Sequence, residues 1–552
     1  MSFNLIDEPW IRVIDGAGEV TDVGIREALV NAPRYRALAG DMPTQDFAVL
    51  RLLLAVVYRA IGFEGEGRAG REEWETIWKA GTLPEAAIDG YLDTWRDRFD
   101  LVHPEMPFLQ VATLHTQKNE WKGLELIVAD SPGPGSMYRR TDSEAPLALG
   151  DAARWLLHCM SYDFSGIKSG AIGDDRVKGG RGYPMGIGWC GWLGGLYYEG
   201  DTLFHTLLLN TVADVPAARA GLPAWEEAPV TAAARNPGAP IRDGGTGPVG
   251  GVTLLTWQQR RLRLRVADGR ATGVLVCNGD PVDYQSQYGV EQMTAWRFSA
   301  PQSRKLKRDV YMPRALQEDR AMWRGLETLL PLKKPPKAKF GSREVDAAHP
   351  AGIVEWTGRL AENRMLPRKG LLRLRAVGVV YGSNMSLYDR MLSDGLAFAP
   401  ALLTDGGRRL KAAALTAVHR AEAAADALGT FAGNVASAAG GDFGPARDDA
   451  RGLVYRELDV DYPAWLASLD PDRDPEVQLA EWTRSVRRLI DRHAARVIEA
   501  APPAAWIGRP GGRDGTRVMS VGQAEAWFRT ALAKALPWDD GERDTHGDHR
   551  RR

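Results

Sequence analysis

The hydrophobic pattern changes near residue 400, and no other feature constrains the fold as strongly. Beyond that point the apolar positions follow a helical period. Leu410, Ala414, Ala417, Ala421, Ala424 and Leu428 share one face and predict a long helix, which Gly429 is expected to loosen or end. Asp474-Pro475-Glu476 predicts a helix start, with a capping carboxylate and proline in the first turn. The face that follows carries Leu479, Trp482, Val486, Leu489, His493 and Val497, and stops before Pro502-Pro503. Ser520 to Leu536 predicts another helix, and a fourth fits within 444–469. Four helices joined by loops predict an antiparallel bundle.

Before residue 400 the pattern is mixed. Asn4 to Val13 is extended, and Thr44 to Ala60 is helical, with Phe47, Leu50, Leu54 and Val57 on one face and Thr44 as its cap. Residues 186 to 210 hold strand-like apolar runs broken by Gly194, Gly195 and Gly200. Arg261 to Val266 alternates strictly, predicting a half-buried strand with Arg261, Arg263 and Arg265 on its solvent face. Leu372-Arg373-Leu374-Arg375 repeats the pattern, and solvation explains both basic faces. The stretch KKPPKAKFGS before residue 343 predicts an exposed basic loop. The fold class expected is therefore α+β: a mixed α/β domain over 1–398, a four-helix bundle over 399–537, and a charged, disordered tail over 538–552.

Composition limits function. Among 552 residues, 44% are apolar, enough for large cores, while the net charge of −1 gives no global field toward a polyanion. Nucleic-acid binding would have to come from local patches. The cysteines Cys159, Cys190 and Cys277 have no metal or redox spacing and point to a reducing compartment. Asp7 and Glu8 stand where a secretory signal would be basic and then apolar, and no apolar run reaches transmembrane length. A cytoplasmic protein without membrane association is expected.

The segment Phe164 to Gly182, FSGIKSGAIGDDRVKGGRG, combines glycines with Lys168, Arg176, Lys178 and Arg181. Glycine permits close backbone approach, and cations beside it favour a polyanion. A mobile loop or a tight turn between strands would have the same composition. Lys168-Ser169 does not make a phosphate-binding loop, because Ile167 replaces the glycine that must precede the lysine. Neither a metalloprotease helix motif nor a serine nucleophile elbow is present. His546 and His549 sit in the charged tail, and His158 with Cys159 lies on an apolar helix as core. Arg484, Arg487, Arg488, Arg492 and Arg496 form a stripe that is either solvated or tracks phosphates. No catalytic residue, metal or cofactor is expected. Two rival functions stay open: a metal-dependent nuclease or other phosphate-processing enzyme built on Asp174-Asp175, and a purely structural scaffold.

A series of motifs resembles the CasA family, the large subunits of the type I-E CRISPR surveillance complex, Cascade. They are FNLIDEPWIRV, LAGDMPTQDFAVLRLLLAVVYRA, HPEMPFLQ, GIKSGAIGDDRVKGGRGYPMG, LLLN, EQMTAWRFSAPQ, YMPR, DRAMWRGL and YGSNMS, in that order over the first 390 residues. The resemblance implies a non-enzymatic subunit that recognises the protospacer-adjacent motif in double-stranded target DNA. It also implies strand separation, R-loop formation, and recruitment of a helicase-nuclease. The family's glycine loop enters the minor groove and here matches Ser165, Gly166, Ile167, Lys168, Ser169 and Gly170, with Lys178, Gly179 and Gly180 nearby. The family's wedge, usually glutamine, falls on Met385, preceded by Asn384; either an apolar wedge or the amide fits the role. Gln292 occupies the position of the family's lysine finger. Val128, Ala129 and Asp130 match the loop at the guide RNA 5′ handle. The bundle is implied to meet the small subunits of the complex.

Overall fold

The computed structural model describes residues 1–129, 145–235, 250–285, 287–331, 336–511 and 517–537. These form two compact units. The first comprises Met1–Arg320, Thr328–Leu360 and Leu372–Gly395, and the second Ala321–Glu327, Ala361–Leu371 and the chain from Leu396 onward. The second unit thus borrows two segments that a linear division at residue 398 leaves in the first. The tail over 538–552 lies outside the described residues.

The first unit holds several small antiparallel sheets and one largely buried helix. Strand β1 (Ile11–Asp15) lies between β2 (Val20–Val23) and β3 (Tyr35–Leu38). Helix α1 (Pro43–Ile61) follows, and its buried residues, Leu52, Leu53 and Val56 among them, extend beyond the single face expected. Its cap also differs from expectation. Met42 holds that position because Pro43 opens the helix, and Thr44 turns inward, its hydroxyl 3.0 Å from His158 Nε2. Helix α2 (Leu149–Tyr162) carries His158 and packs on α1. Next come the short paired strands β4 (Lys168–Ser169) and β5 (Arg181–Gly182), then β6 (Gly195–Glu199). Within the run expected to be strand-like, Leu203–Leu209 is instead helix α3, capped by Thr202, which accepts from the His205 N–H.

Strands β7 (Arg260–Ala267) and β8 (Arg270–Asn278) pair along their length. The basic face predicted for β7 is only partly a solvent face. Arg261 is buried, donating to Asp280 at 2.7 Å and to the Thr231 carbonyl at 2.7 Å. Arg263 lies over the Trp121 ring and donates to the Leu114 carbonyl, leaving Arg265 exposed. Local alternation reports a period of two but not that a loop packs over half of the outer face.

Strand β9 (Trp296–Phe298), helix α4 (Ala300–Leu306) and strand β10 (Tyr311–Pro313) precede the hairpin of β11 (Lys337–Phe340) and β12 (Arg343–Asp346). That hairpin replaces the basic loop expected there, with Gly341 at φ +64° in the turn, while residues 332–335 lie outside the described residues. Strand β13 (Ala348–His349) pairs with β9. Finally β14 (Leu372–Tyr381) runs between β6 and β15 (Tyr388–Phe398). The arginines of β14 are paired rather than merely solvated: Arg373 with Asp201 and Arg375 with Glu199.

The second unit contains the expected four helices, α5 (Arg408–Ala439), α6 (Phe443–Ser468), α7 (Pro475–Glu499) and α8 (Val521–Ala535). Asp474 and Ser520 cap α7 and α8 through their side chains, accepting from the Glu476 and Gln523 N–H groups. Gly429 neither loosens nor ends α5. A Cβ there would lie 2.6 Å from Arg451 Cγ and 2.9 Å from the Arg447 carbonyl oxygen, so the glycine admits α6 at close range. Trp323, Tyr462, Trp465 and Trp482 form the aromatic centre, with the Trp323 and Tyr462 rings stacked at 4.7 Å. Among the described residues, no helix is long and apolar enough to cross a membrane.

Candidate nucleic-acid interface

The glycine-rich segment begins where α2 stops at Asp163. A Cβ on Gly166 would meet only the Phe164 ring, at 3.8 Å, and Ile167 beside it is 57% exposed. Gly170 has a different task. Its Cβ would lie 2.6 Å from the Gly180 carbonyl carbon, so the two backbone runs approach too closely for any side chain. Gly179 and Gly180 both adopt positive φ, 58° and 71°, between Lys178 and Arg181. The Lys178 N–H donates to the Arg181 carbonyl at 3.1 Å and is answered in return at 3.2 Å. Two consecutive left-handed residues in such a turn match the twist of the strands they join. Lys178, Gly179 and Arg181 face solvent at its tip.

Lys168 does not face solvent. Its ammonium sits 2.8 Å from Asp163 Oδ2 and 4.0 Å from the centre of the Phe164 ring, with 8% of the side chain exposed. The same Asp163 carboxylate accepts from Arg260, which also donates to the Gly186 carbonyl at 2.8 Å and the Phe164 carbonyl at 3.2 Å. One buried carboxylate therefore gathers two buried cations and fixes both ends of the segment. Sequence analysis places Lys168 among the residues of the groove-entering loop; in the fold its ammonium turns inward to Asp163.

The candidate wedge occupies the tip of the β14–β15 hairpin. The Gly382 N–H donates to the Leu387 carbonyl at 3.1 Å, closing a loop in which Asn384 and Met385 both adopt φ near 55°. Two consecutive non-glycine residues in the left-handed region are costly, and such strain collects at functional tips. Met385 is 38% exposed and Leu387 is 50% exposed. The Met385 carbonyl accepts the Ser165 N–H at 2.7 Å. This bond joins the glycine loop to the hairpin tip, two segments the sequence singled out separately.

Aromatic side chains support that junction. Tyr381 donates its hydroxyl to the Tyr162 carbonyl at 2.6 Å, and the Phe164 ring meets Tyr388 edge-on at 5.5 Å. Burial pushes the Tyr381 and Tyr388 hydroxyl pKa values well up, and it pushes that of His158 down to about 3. All three stay uncharged at neutral pH. Asp163, Arg260, Tyr381 and Tyr388 were missed as support for the site. Arg260 precedes the alternating run and falls in register with its apolar face, Leu262 and Leu264, and nothing local marks its partner.

Other expected residues lie elsewhere. The Gln292 amide folds back on its own segment, donating to the Gly289 and Val290 carbonyls at 3.0 Å each. Its neighbour Glu291 is buried against Arg51 at 2.8 Å; burial raises the carboxyl pKa, but the guanidinium outweighs it and the net shift is downward. Val128 and Ala129 are half-buried after a short turn, and Asp130 lies outside the described residues. Of the acidic pair behind the nuclease reading, Asp174 is buried and clamped by Arg176 through both oxygens, at 2.8 and 2.9 Å. Burial raises its pKa, yet the Arg176 hydrogen bonds bring the net shift below the usual carboxylate range. Among the described residues no group of three or more histidine, cysteine or acidic side chains is arranged to hold a metal ion.

The family profile described as CRISPR-associated protein Cse1 matches residues 4–493. The chain belongs to the CRISPR-associated Cse1 family. A CasA/Cse1 protein of Thermus thermophilus is 32% identical over 336 residues, and the match spans 60% of this chain and 60% of that relative's length. The crystal structure of Thermobifida fusca Cse1 superposes with a TM-score of 0.87 at 38% identity, covering 97% of this chain and 98% of that one. Cse1 from Acidimicrobium ferrooxidans superposes at 0.79 with 29% identity, covering 97% and 98%. The α+β fold with its C-terminal helices is thus the fold of Cse1 structures.

Proposed function

We propose that this chain is the duplex-inspecting subunit of a CRISPR RNA-guided surveillance complex. Its glycine loop and hairpin tip meet the minor groove at the protospacer-adjacent motif. The observation that carries this reading is the 2.7 Å bond from the Ser165 N–H to the Met385 carbonyl, which sets a slim backbone probe beside an exposed apolar tip. A narrow groove with a degenerate code suits a backbone reader, and an apolar side chain at a base step starts unstacking. The fold lends support, because a structure described as a CRISPR RNA-guided surveillance complex shares it with a TM-score of 0.65 at 18% identity, over 90% of this chain.

In this scheme Gly166 and Ile167 probe the groove while Lys178 and Arg181 meet phosphates. Met385 enters below the recognised pairs, and guide pairing then continues the exchange of one duplex for another at near-balanced energy. Val128, Ala129 and Asp130 hold the guide RNA 5′ handle. The bundle contacts the small subunits, the first unit helps recruit the helicase-nuclease, and the chain itself performs no catalysis. Gln292 contributes no finger unless its amide leaves the two carbonyls it now serves.

The test is a binding screen of reconstituted complex against a randomised motif library at fixed salt. Gly166→Asp should erase motif preference while leaving complex assembly intact. An unchanged preference would favour a purely structural subunit.

A further inference from the structure

A second surface of the first unit combines rings and cations. In the β10–β9–β13 sheet, Phe298 pairs across to Tyr311 and Trp296 to His349. Trp296 and Phe298 stand two residues apart, so these rings share one face. Tyr288 lies across that face, its ring 4.8 Å from Tyr311 and stacked on His349 at 4.7 Å. Trp296 meets it edge-on at 5.9 Å, and Tyr288 still remains 43% exposed. The ribbon continues from Phe298 to Phe340, whose rings meet edge-on at 5.2 Å. The guanidiniums of Arg304 and Arg343 lie 5.8 and 5.5 Å from the centre of Phe340.

The charge around the ribbon is unbalanced. Arg343 and Lys337 pair with Asp309 and Asp346. Arg304, Lys305 and Lys307 make no ion pair among the described residues, although all three are exposed; Arg297 and Lys339, equally exposed, alternate onto the strand faces opposite Phe298 and Phe340, and Lys339 stands across from Glu344. The arginines of β14 show the contrast, each being matched by a carboxylate. In a chain of net charge −1, this is a local excess of positive charge at an aromatic surface.

We propose that this face binds an unpaired stretch of nucleic acid, with a base stacked on the exposed part of Tyr288 and phosphates along Arg304, Lys305 and Lys307. An exposed ring can stack only on an exposed base face, and a duplex hides its base faces in the stack. Stacking beside a cationic track is the general chemistry of single-strand binding. A protein partner would favour a centre depleted of charge. The surface needs no motif, so it stands apart from duplex inspection by the glycine loop.

The test uses the full chain and a labelled oligothymidylate, with binding followed by fluorescence anisotropy over a salt series. Tyr288→Ala should weaken binding about tenfold, while Tyr288→Phe keeps the ring and stays within about twofold of wild type. The double substitution Lys305→Ala/Lys307→Ala should reduce the log–log salt slope by about 1.4. Those two side chains are exposed, so this variant remains informative even if Tyr288→Ala unfolds the small sheet. Wild-type binding by both variants would overturn the proposal. So would a lysine effect with none at a well-folded Tyr288→Ala, because that pattern is electrostatic adhesion without stacking. In the assembled complex neither variant should change motif preference on duplex DNA, which separates this surface from the glycine loop.

Discussion

Replacing Lys168 with methionine separates two roles that the sequence merges. Methionine keeps an unbranched stem over the Phe164 ring but removes the ammonium that sits 2.8 Å from Asp163. Deleting one partner of a buried ion pair typically costs about 3–5 kcal/mol, because the other charge is stranded. Here Asp163 keeps Arg260, so the charge is not stranded. What is lost is a charge-assisted hydrogen bond and a cation–π contact, offset by no longer burying an ammonium. A net loss of about 1–3 kcal/mol follows, and a unit of this size should melt a few degrees lower. The second readout is the salt dependence of target-duplex binding by the reconstituted complex. A lysine on a phosphate contributes about 0.9 to the log–log slope. Lys168→Met should leave that slope unchanged, whereas Lys178→Ala and Arg181→Ala, at the exposed turn, should each lower it by about 0.9. A Lys168→Met protein that melts like wild type but loses about 0.9 of slope would refute the inward role of this lysine.

Met385→Ala should slow strand separation, followed by permanganate reactivity, more than it weakens initial duplex binding; equal effects on both steps would remove the wedge role. Asp46 offers a pH test. Burial, its largest influence, raises its carboxyl pKa to about 6, although the carboxylate accepts the Gly40 N–H at 2.7 Å. The folded chain therefore holds this proton more tightly than the unfolded chain. The stabilising contribution is full below the unfolded pKa near 4 and is lost as pH rises through about 6. Asp46→Asn keeps an acceptor for Gly40 and should raise stability at neutral pH by up to about 3 kcal/mol, with the gain vanishing in acid. Chemical denaturation at several pH values checks the sign. Gly429→Ala should destabilise the second unit by about 1–3 kcal/mol despite alanine's better helix propensity, because the added methyl meets the Arg447 carbonyl oxygen. A gain in melting temperature would contradict the close helix approach.

The helices of the second unit were legible because period and cap chemistry are local: Asp474 and Ser520 serve helices that begin one residue later. Where a local rule met a neighbour distant in sequence, it failed. Gly429 looked like a helix breaker until α6 packed on it, and Arg261 looked solvated until Asp280 and the Thr231 carbonyl enclosed it. The candidate interface shows the same limit. Its backbone segments could be picked out by glycine content and by resemblance, because those signals lie in contiguous residues. The bond between Ser165 and Met385, and the capture of Lys168 and Arg260 by Asp163, depend on how distant segments meet. The inward turn of Lys168 leaves Ile167 and Met385, 57% and 38% exposed, as the side chains this junction presents.

The most direct test of that account is photo-cross-linking in the reconstituted complex, with a benzophenone amino acid placed in turn at position 167 and position 385. The loop and the hairpin tip are joined, so both probes should mark the same few base pairs of the motif, and a minor-groove ligand should block both. Cross-links to separate stretches of DNA, or cross-links from neither position to a correctly bound target, would contradict it.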